Sequence, residues 1–188
     1  MLTLIIGGAR SGKSSLAQRL ARVSGNDVTY IATAEAGDEE MSRRIQKHRC
    51  SRPQDWVTIE EPRNLSRAFC RADSQVVLLD CLSMWVSNRL LKMQNRCDSL
   101  DEENFLNQLW CECQESLKYL TQRSQTAVVV TNEVGCSLVP PNRLGRTYRD
   151  LLGSLNQKVA GRAERVVLMT AGIATVIKGP PLPQLEVE

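Results

Sequence analysis

The sequence of 188 residues has no run of about 18 apolar residues, the length that a membrane-spanning helix needs. It also has no basic segment followed by an apolar one at its start, because the apolar residues 2–6 lead directly into a glycine-rich segment. From these absences we expect no secretory leader. The sequence predicts a soluble, unprocessed, cytoplasmic protein with no stable insertion into a membrane.

The seven cysteines contain no CxxC pair, and their odd number does not suit a disulfide framework. Cys111 and Cys113 would point to different sides of a helix, so they cannot share a metal ion there. We therefore expect reduced thiols, as in the cytosol. The 24 Lys and Arg residues nearly balance the 21 Asp and Glu residues, which disfavours nucleic acid as a partner and suits anionic small molecules.

Short apolar runs rich in β-branched residues alternate with segments of helical periodicity. This alternation is typical of an α/β sandwich with a mainly parallel sheet. The last two strands are separated only by Ala171 and Gly172, which predicts an antiparallel hairpin at the sheet edge. We expect one domain over residues 1–178, with a linker at 94–101 and a frayed, proline-rich tail at 179–188. The predicted strands cover residues 2–6, 28–32, 56–59, 76–80, 126–131, 166–169 and 173–177.

The segment after the first strand has the pattern of a phosphate-binding loop. Its glycines let successive backbone N–H groups point at one anion, and the helix that follows adds partial positive charge. The lysine would contact the outer phosphates, and the final serine can bind Mg²⁺. A glycine-rich turn that only packs a helix on a strand is the alternative. The loop consists of Gly7, Gly8, Ala9, Arg10, Ser11, Gly12, Lys13 and Ser14.

A second acidic ligand for Mg²⁺ is expected at the end of a buried strand in such proteins. The apolar run at residues 76–79 ends at Asp80, which would lie at the carboxyl edge of the sheet near Ser14. Ser14 and Asp80 are therefore the predicted magnesium ligands. The polar residues Asn132 and Glu133 end another predicted strand at the same edge, where ligands bind in open α/β sheets.

His48 is the only histidine in the chain. It shares a face of a predicted helix with Met41 and Ile45, which on periodicity alone favours a packed boundary residue. The cations around it favour a different role, because they would hold the imidazole neutral, as a nucleophile requires, and could bind a polyphosphate. A similar choice applies to Arg143, Arg146 and Arg149, spaced three apart on the last helix. They are either a solvated stripe or phosphate contacts.

The phosphate-binding loop and six further segments together resemble the bifunctional adenosylcobinamide kinase/adenosylcobinamide-phosphate guanylyltransferase family of cobalamin biosynthesis. The resemblance covers nearly the whole chain. The further segments are residues 30–34, 44–53 with Trp56, 58–62, 79–82, 131–135 and 142–157. The sequence departs from the family at Pro141, where an acidic residue is usual, and in the proline-rich tail.

The resemblance implies a P-loop NTPase, RecA-like, three-layer sandwich. It also implies a kinase step from ATP or GTP to adenosylcobinamide and a guanylyl transfer from GTP through a covalent intermediate. In this sequence His48 matches the guanylylated nucleophile, while the loop with Lys13 and Asp80 matches the phosphate and metal positions. The implied guanine-nucleotide contacts are Ala32, Thr33, Ala34, Arg49, Cys50, Ser51, Arg52 and Glu60.

The same resemblance implies Mg²⁺ as cofactor and a homo-oligomer, a trimer in the family. Two alternatives remain open at the level of sequence. An ordinary P-loop kinase of small metabolites would explain the loop and Asp80 but would leave His48 without a function. A nucleotide-driven switch with no metabolite turnover would explain the loop alone.

Overall fold

The computed structural model describes residues 1–50, 52–94 and 101–185. Most of the predicted linker at 94–101 lies outside this part of the chain. The strands are β1 (Leu2–Gly7), β2 (Val28–Ala32), β3 (Val57–Glu60), β4 (Val76–Asp80), β5 (Thr126–Asn132), β6 (Arg165–Thr170) and β7 (Ile173–Lys178). The helices are α1 (Lys13–Ser24), α2 (Glu39–Cys50), α3 (Leu65–Cys70), α4 (Leu82–Gln94), α5 (Glu102–Gln122) and α6 (Arg143–Arg162).

Seven strands form one sheet in the order β3-β2-β4-β5-β1-β6-β7. The pairs from β3 to β6 are parallel, and β7 runs antiparallel to β6, as predicted. Ala171 and Gly172 turn this hairpin with φ angles of 51° and 82°. Because β5 lies between β1 and β4, the carboxyl ends of these three strands are neighbours at one edge of the sheet.

Apolar side chains cover both faces of the sheet, which gives the predicted three layers. On one face α1 packs Leu16 and Leu20 against the strands. On the other face helices α3 to α6 contribute a larger core that includes Trp85, Phe105 and Leu155, all almost fully buried. The first four residues of β4 are buried, as expected for a central strand covered on both faces.

The prediction of a frayed tail is wrong for residues 179–185. The buried Arg165 donates from Nε to the carbonyl of Pro180 and from Nη2 to the carbonyl of Pro181, each at 2.9 Å. Leu182 and Leu185 are partly buried against the core on the α1 side of the sheet. An arginine that loses water on burial must recover hydrogen bonds, and the tail supplies the acceptors.

Helix α2 has no buried residue. Met41 and Ile45 are only partly buried, and His48 is exposed. The reading of His48 as a packed residue, which the periodicity favoured, is therefore wrong. No helix in the described ranges is both long enough and apolar enough to cross a membrane.

Candidate active site

A cavity of about 700 Å³ opens where the strands end at the carboxyl edge of the sheet. It brings together residues that are far apart in sequence, from the P-loop, from β2, from α2 and from the ends of β4 and β5. From the predicted set it is lined by Ala9, Arg10, Ser11, Gly12, Lys13, Ser14, Ala32, Ala34, His48, Arg52 and Asp80. The P-loop residues and the histidine thus lie around one cavity.

The P-loop reaches its curled form through left-handed backbone at two positions. Arg10 has φ 56° and Gly12, the residue before α1, has φ 92°. The loop is tied to the fold by a backbone hydrogen bond from Gly172 N to Ser11 O at 3.1 Å, and Glu133 N donates to Gly7 O at 3.0 Å. Helix α1 begins directly at Lys13, so its N-terminus points its partial positive charge at the loop.

Two adjacent glycines of the loop have different surroundings. A Cβ atom on Gly7 would lie 2.3 Å from the carbonyl oxygen of Met169 on the neighbouring strand, whereas a Cβ on Gly8 would meet nothing within 4 Å. Gly7 is therefore required by the close approach of β1 and β6. The fold imposes no such requirement at Gly8.

Lys13 is 7% exposed, and its ammonium donates to the carbonyl of Gly8 at 2.5 Å and to Ser11 Oγ at 3.4 Å. Burial lowers the pKa of Lys13, and the negative charge that Cys81 and Asp80 can carry opposes that effect. An ammonium already stripped of most of its water binds a phosphate without a large further desolvation cost. This is the position at which a P-loop lysine contacts outer phosphates.

Asp80 is joined to the opposite side of the cavity through Tyr30. The Tyr30 hydroxyl donates to Asp80 Oδ2 at 2.6 Å, and the Arg52 guanidinium carbon lies 4.2 Å from the centroid of the Tyr30 ring. Burial and the nearby Asp80 raise the pKa of Tyr30, so it remains a hydrogen-bond donor. Arg52 Nε is buried and has no hydrogen-bond partner among the described residues, which leaves a donor for an anionic ligand.

Helix α2 adds further positive charge to the cavity wall. Arg44 and Lys47 line the cavity together with His48, and all three are exposed. Asp38 precedes the helix, and its carboxylate accepts from the Met41 N–H at 2.7 Å. The wall thus offers a polyphosphate several cations beside an accessible imidazole.

The structure does not bring every predicted contact to the cavity. Among the described residues, Gly7, Gly8, Thr33, Arg49, Cys50 and Glu60 are not part of its lining. Thr33 is fully buried, and its hydroxyl donates to the Cys81 carbonyl at 2.7 Å and accepts from the Cys81 N–H at 2.9 Å. Arg49 and Glu60 pair with each other instead. Ser51 lies outside the described residues.

The predicted magnesium ligands have the donor atoms that this ion requires. Ser14 and Asp80 both line it and offer hydroxyl and carboxylate oxygens, the atoms that Mg²⁺ prefers. Within the described ranges there is no cluster of three or more His, Cys, Asp or Glu residues arranged for a metal ion. A site of one carboxylate and one hydroxyl suits an ion that takes its other ligands from phosphates and water.

Ten lining residues were not among the predicted site residues, although Asn132 was expected at this edge of the sheet. They are Ser15, Tyr30, Met41, Arg44, Ile45, Lys47, Cys81, Met84, Val130 and Asn132. A signal for Tyr30 was present, because it precedes Ala32 by two residues on a strand, and alternate residues face the same side. Asp80 is paired with Ala32 in the sheet register, which makes Tyr30 its diagonal neighbour.

The three arginines at the start of α6 have separate roles in the structure. Arg146 donates to the carbonyls of Pro140 and Pro141, at 3.0 and 2.8 Å, and so fixes the loop before the helix. Arg149 donates from Nε to Asp150 at 3.0 Å, while Arg143 is exposed. None of the three lines the cavity among the described residues.

The chain is similar to known proteins in both sequence and fold. The sequence pattern of the family described as cobinamide kinase / cobinamide phosphate guanyltransferase matches residues 3–177. The chain belongs to this family. The family is one of enzymes with both activities, which confirms the resemblance seen in the sequence motifs.

Relatives extend over nearly the full length of the chain. The bifunctional adenosylcobalamin biosynthesis protein CobP of Pseudomonas aeruginosa is 44% identical over 185 residues, which is 97% of this chain and 100% of that protein. The bifunctional adenosylcobalamin biosynthesis protein CobU of Escherichia coli is 38% identical over 183 residues, 95% of this chain and 100% of that protein.

Solved structures confirm the P-loop NTPase fold. A prototypical ATPase of a type III secretion system has a TM-score of 0.56 and 14% identity, covering 90% of this chain and 51% of that one. The RadB recombinase has a TM-score of 0.52 and 14% identity, covering 98% of this chain and 84% of that one. At this identity the likeness concerns the fold alone.

Proposed function

We propose that the enzyme phosphorylates adenosylcobinamide with ATP or GTP and then transfers GMP from GTP to the product through a covalent His48–GMP intermediate. The observation that carries this proposal is the shared cavity, in which exposed His48 faces the same space as the P-loop. Family membership supports the two activities. The cations of α2 and the free donor of Arg52 support a bound polyphosphate beside the histidine.

In the kinase step the hydroxyl of the aminopropanol arm attacks the γ-phosphorus and gives up its proton to water. The bond from the γ-phosphorus to the bridging oxygen breaks, and ADP or GDP leaves with its electron pair. Lys13 and the N–H groups of the P-loop stabilise charge on the phosphate oxygens, and positioning contributes most of the acceleration. Ser14 and Asp80 would hold Mg²⁺, which neutralises phosphate charge when it is bound.

In the guanylyl step a ring nitrogen of neutral His48 attacks the α-phosphorus of GTP. A P–N bond forms, pyrophosphate leaves with the electron pair of the broken P–O bond, and the imidazole loses its proton. The phosphate of cobinamide phosphate then attacks the same phosphorus. The P–N bond breaks, and the imidazole recovers its electron pair and a proton, giving adenosylcobinamide-GDP.

Labelling with GTP that carries ³²P at the α-position tests the proposal. Wild-type enzyme should take up label in a bond that acid breaks and alkali does not, as a phosphoramidate behaves, and added cobinamide phosphate should remove it. His48→Asn should take up none, whereas Gln46→Asn, an exposed neighbour on the same helix, should label normally.

Two results would contradict this assignment. Normal labelling of His48→Asn would exclude His48 as the nucleophile. Absence of label in the wild type, together with transfer of γ-phosphate to cobinamide, would favour the ordinary small-metabolite kinase. The proposal further includes reaction in the cytoplasm, no nucleic-acid partner and a homo-trimeric assembly. Light scattering measures the oligomeric state directly.

A further inference from the structure

Tyr30 has three properties that its place in the core does not require. It is 1% exposed and yet lines the active-site cavity, its hydroxyl is bound to a carboxylate, and its ring lies against a guanidinium. Any buried tyrosine hydroxyl needs a hydrogen-bond partner, but packing alone does not require that partner to be a cavity carboxylate or the ring to lie against a guanidinium.

We propose that Tyr30 is a positioning residue that orients the Asp80 carboxylate for the metal ion with its hydroxyl and the Arg52 guanidinium for the nucleotide with its ring. This inference rests on the proposed metal-binding role of Asp80. The hydroxyl engages Oδ2 and so limits rotation of the carboxylate. Oδ1 remains as an acceptor for another ligand.

The surroundings of Asp80 explain why its side chain needs a residue that orients it. Asp80 is the last residue of β4, in register with Ala32 of β2 and Val130 of β5, and the chain leaves the sheet directly after it. Strand β2 fixes this end, because Thr33 N donates to the Asp80 carbonyl at 3.3 Å and the Thr33 hydroxyl binds both backbone groups of Cys81. Asn88 holds the Thr33 carbonyl in turn, at 2.8 Å. These bonds fix the backbone of Asp80, and Tyr30 adds the bond to its side chain.

The contact with Arg52 links this arrangement to the other wall of the cavity. A guanidinium stacked on an aromatic ring keeps its edge donors available for hydrogen bonds. Arg52 Nε is such a donor, buried and without a partner among the described residues. One side chain therefore holds a residue of the proposed metal site and a residue of the proposed nucleotide site in a fixed relation.

The test measures binding rather than turnover. A fluorescent, non-hydrolysable GTP analogue is titrated at increasing Mg²⁺ concentration, and in EDTA. Tyr30→Phe keeps the ring and loses the hydroxyl, so it should need about tenfold more Mg²⁺ for half-maximal binding, with affinity in EDTA unchanged. Tyr30→Leu removes the ring as well, so it should also bind more weakly in EDTA.

Thr29→Val is the matched control. Thr29 is the preceding residue on β2, is 1% exposed, and donates to Ser74 Oγ at 2.8 Å, away from the cavity. The Thr29→Val variant should lose about as much thermal stability as Tyr30→Phe. The Mg²⁺ concentration that it needs for half-maximal binding should not change. Three results would each overturn the proposal. Tyr30→Phe could need no more Mg²⁺ than the wild type, or Thr29→Val could need as much more Mg²⁺ as Tyr30→Phe. The wild type could also bind the nucleotide independently of Mg²⁺. Failure of GTP labelling at His48 would leave it standing.

Discussion

Arg49 and Glu60 are joined by two hydrogen bonds, from Nε to Oε1 at 2.7 Å and from Nη2 to Oε2 at 2.6 Å. Their side chains are 55% and 49% exposed, and the pair lies beside the cavity rather than in its lining. Arg52, three residues later, lines the cavity and is stacked on Tyr30. The structure thus separates two arginines that the sequence places in one nucleotide-binding segment.

This separation predicts unequal effects on GTP affinity. Arg52→Lys keeps the charge but loses the planar contact with the tyrosine ring, so GTP should bind about tenfold more weakly. Arg49→Ala removes only an exposed ion pair, and its effect should be less than about threefold. Isothermal titration with GTP measures both. Equal losses in the two variants would return Arg49 to the nucleotide site.

Replacement of Lys13 by alanine should reduce the kinase turnover by about 10²–10³-fold, because a preorganised charge at the transferred phosphoryl group is lost. Transfer of ³²P from γ-labelled ATP to cobinamide gives the rate. Arg19→Ala, which removes an exposed cation from the same helix, should leave the rate unchanged. Near-normal phosphorylation by Lys13→Ala would refute the role of Lys13 in that step.

The two glycines at the start of the P-loop should differ in stability. Gly7→Ala forces a methyl group against the Met169 carbonyl and should cost about 2–3 kcal/mol, a fall of roughly 5–10 °C in the melting temperature. Gly8→Ala has space for the methyl group and should melt near the wild type. Calorimetry measures the melting temperatures of both variants. Similar values would show that β1 and β6 can separate at little cost in free energy.

A pH-dependent loss of stability should arise from Cys113. Burial, with a smaller contribution from Glu112, raises its pKa from 9.0 to about 12. The unfolded thiol ionises first as pH rises, so the stability from this group is complete below pH 9 and is lost toward pH 12. Urea midpoints should therefore fall less steeply above pH 9 in Cys113→Ala than in the wild type. The exposed Cys136→Ala should keep the wild-type slope.

Local patterns in the sequence were sufficient for the strands, for the P-loop and for the apolar stripe of α5, where Phe105, Leu109, Cys113 and Leu120 are all buried. Periodicity shows which side of an element is buried, not which element covers it. The bond between Tyr30 and Asp80, fifty residues apart, could not be predicted from either segment alone. The packing of the tail depends on Arg165, a charged residue whose burial no local pattern indicates.

The absence of buried side chains on α2 bears on how this helix moves. Its ends are held by local contacts such as the Asp38 cap, and exposed ion pairs of this kind contribute little to stability. Helices that bury little apolar surface open with a small free energy, independently of global unfolding. We therefore expect the amide protons of α2 to exchange with deuterium well before those of α1. The proposed nucleophile of the second reaction thus sits on a segment that can reorganise while the phosphate-binding core stays folded.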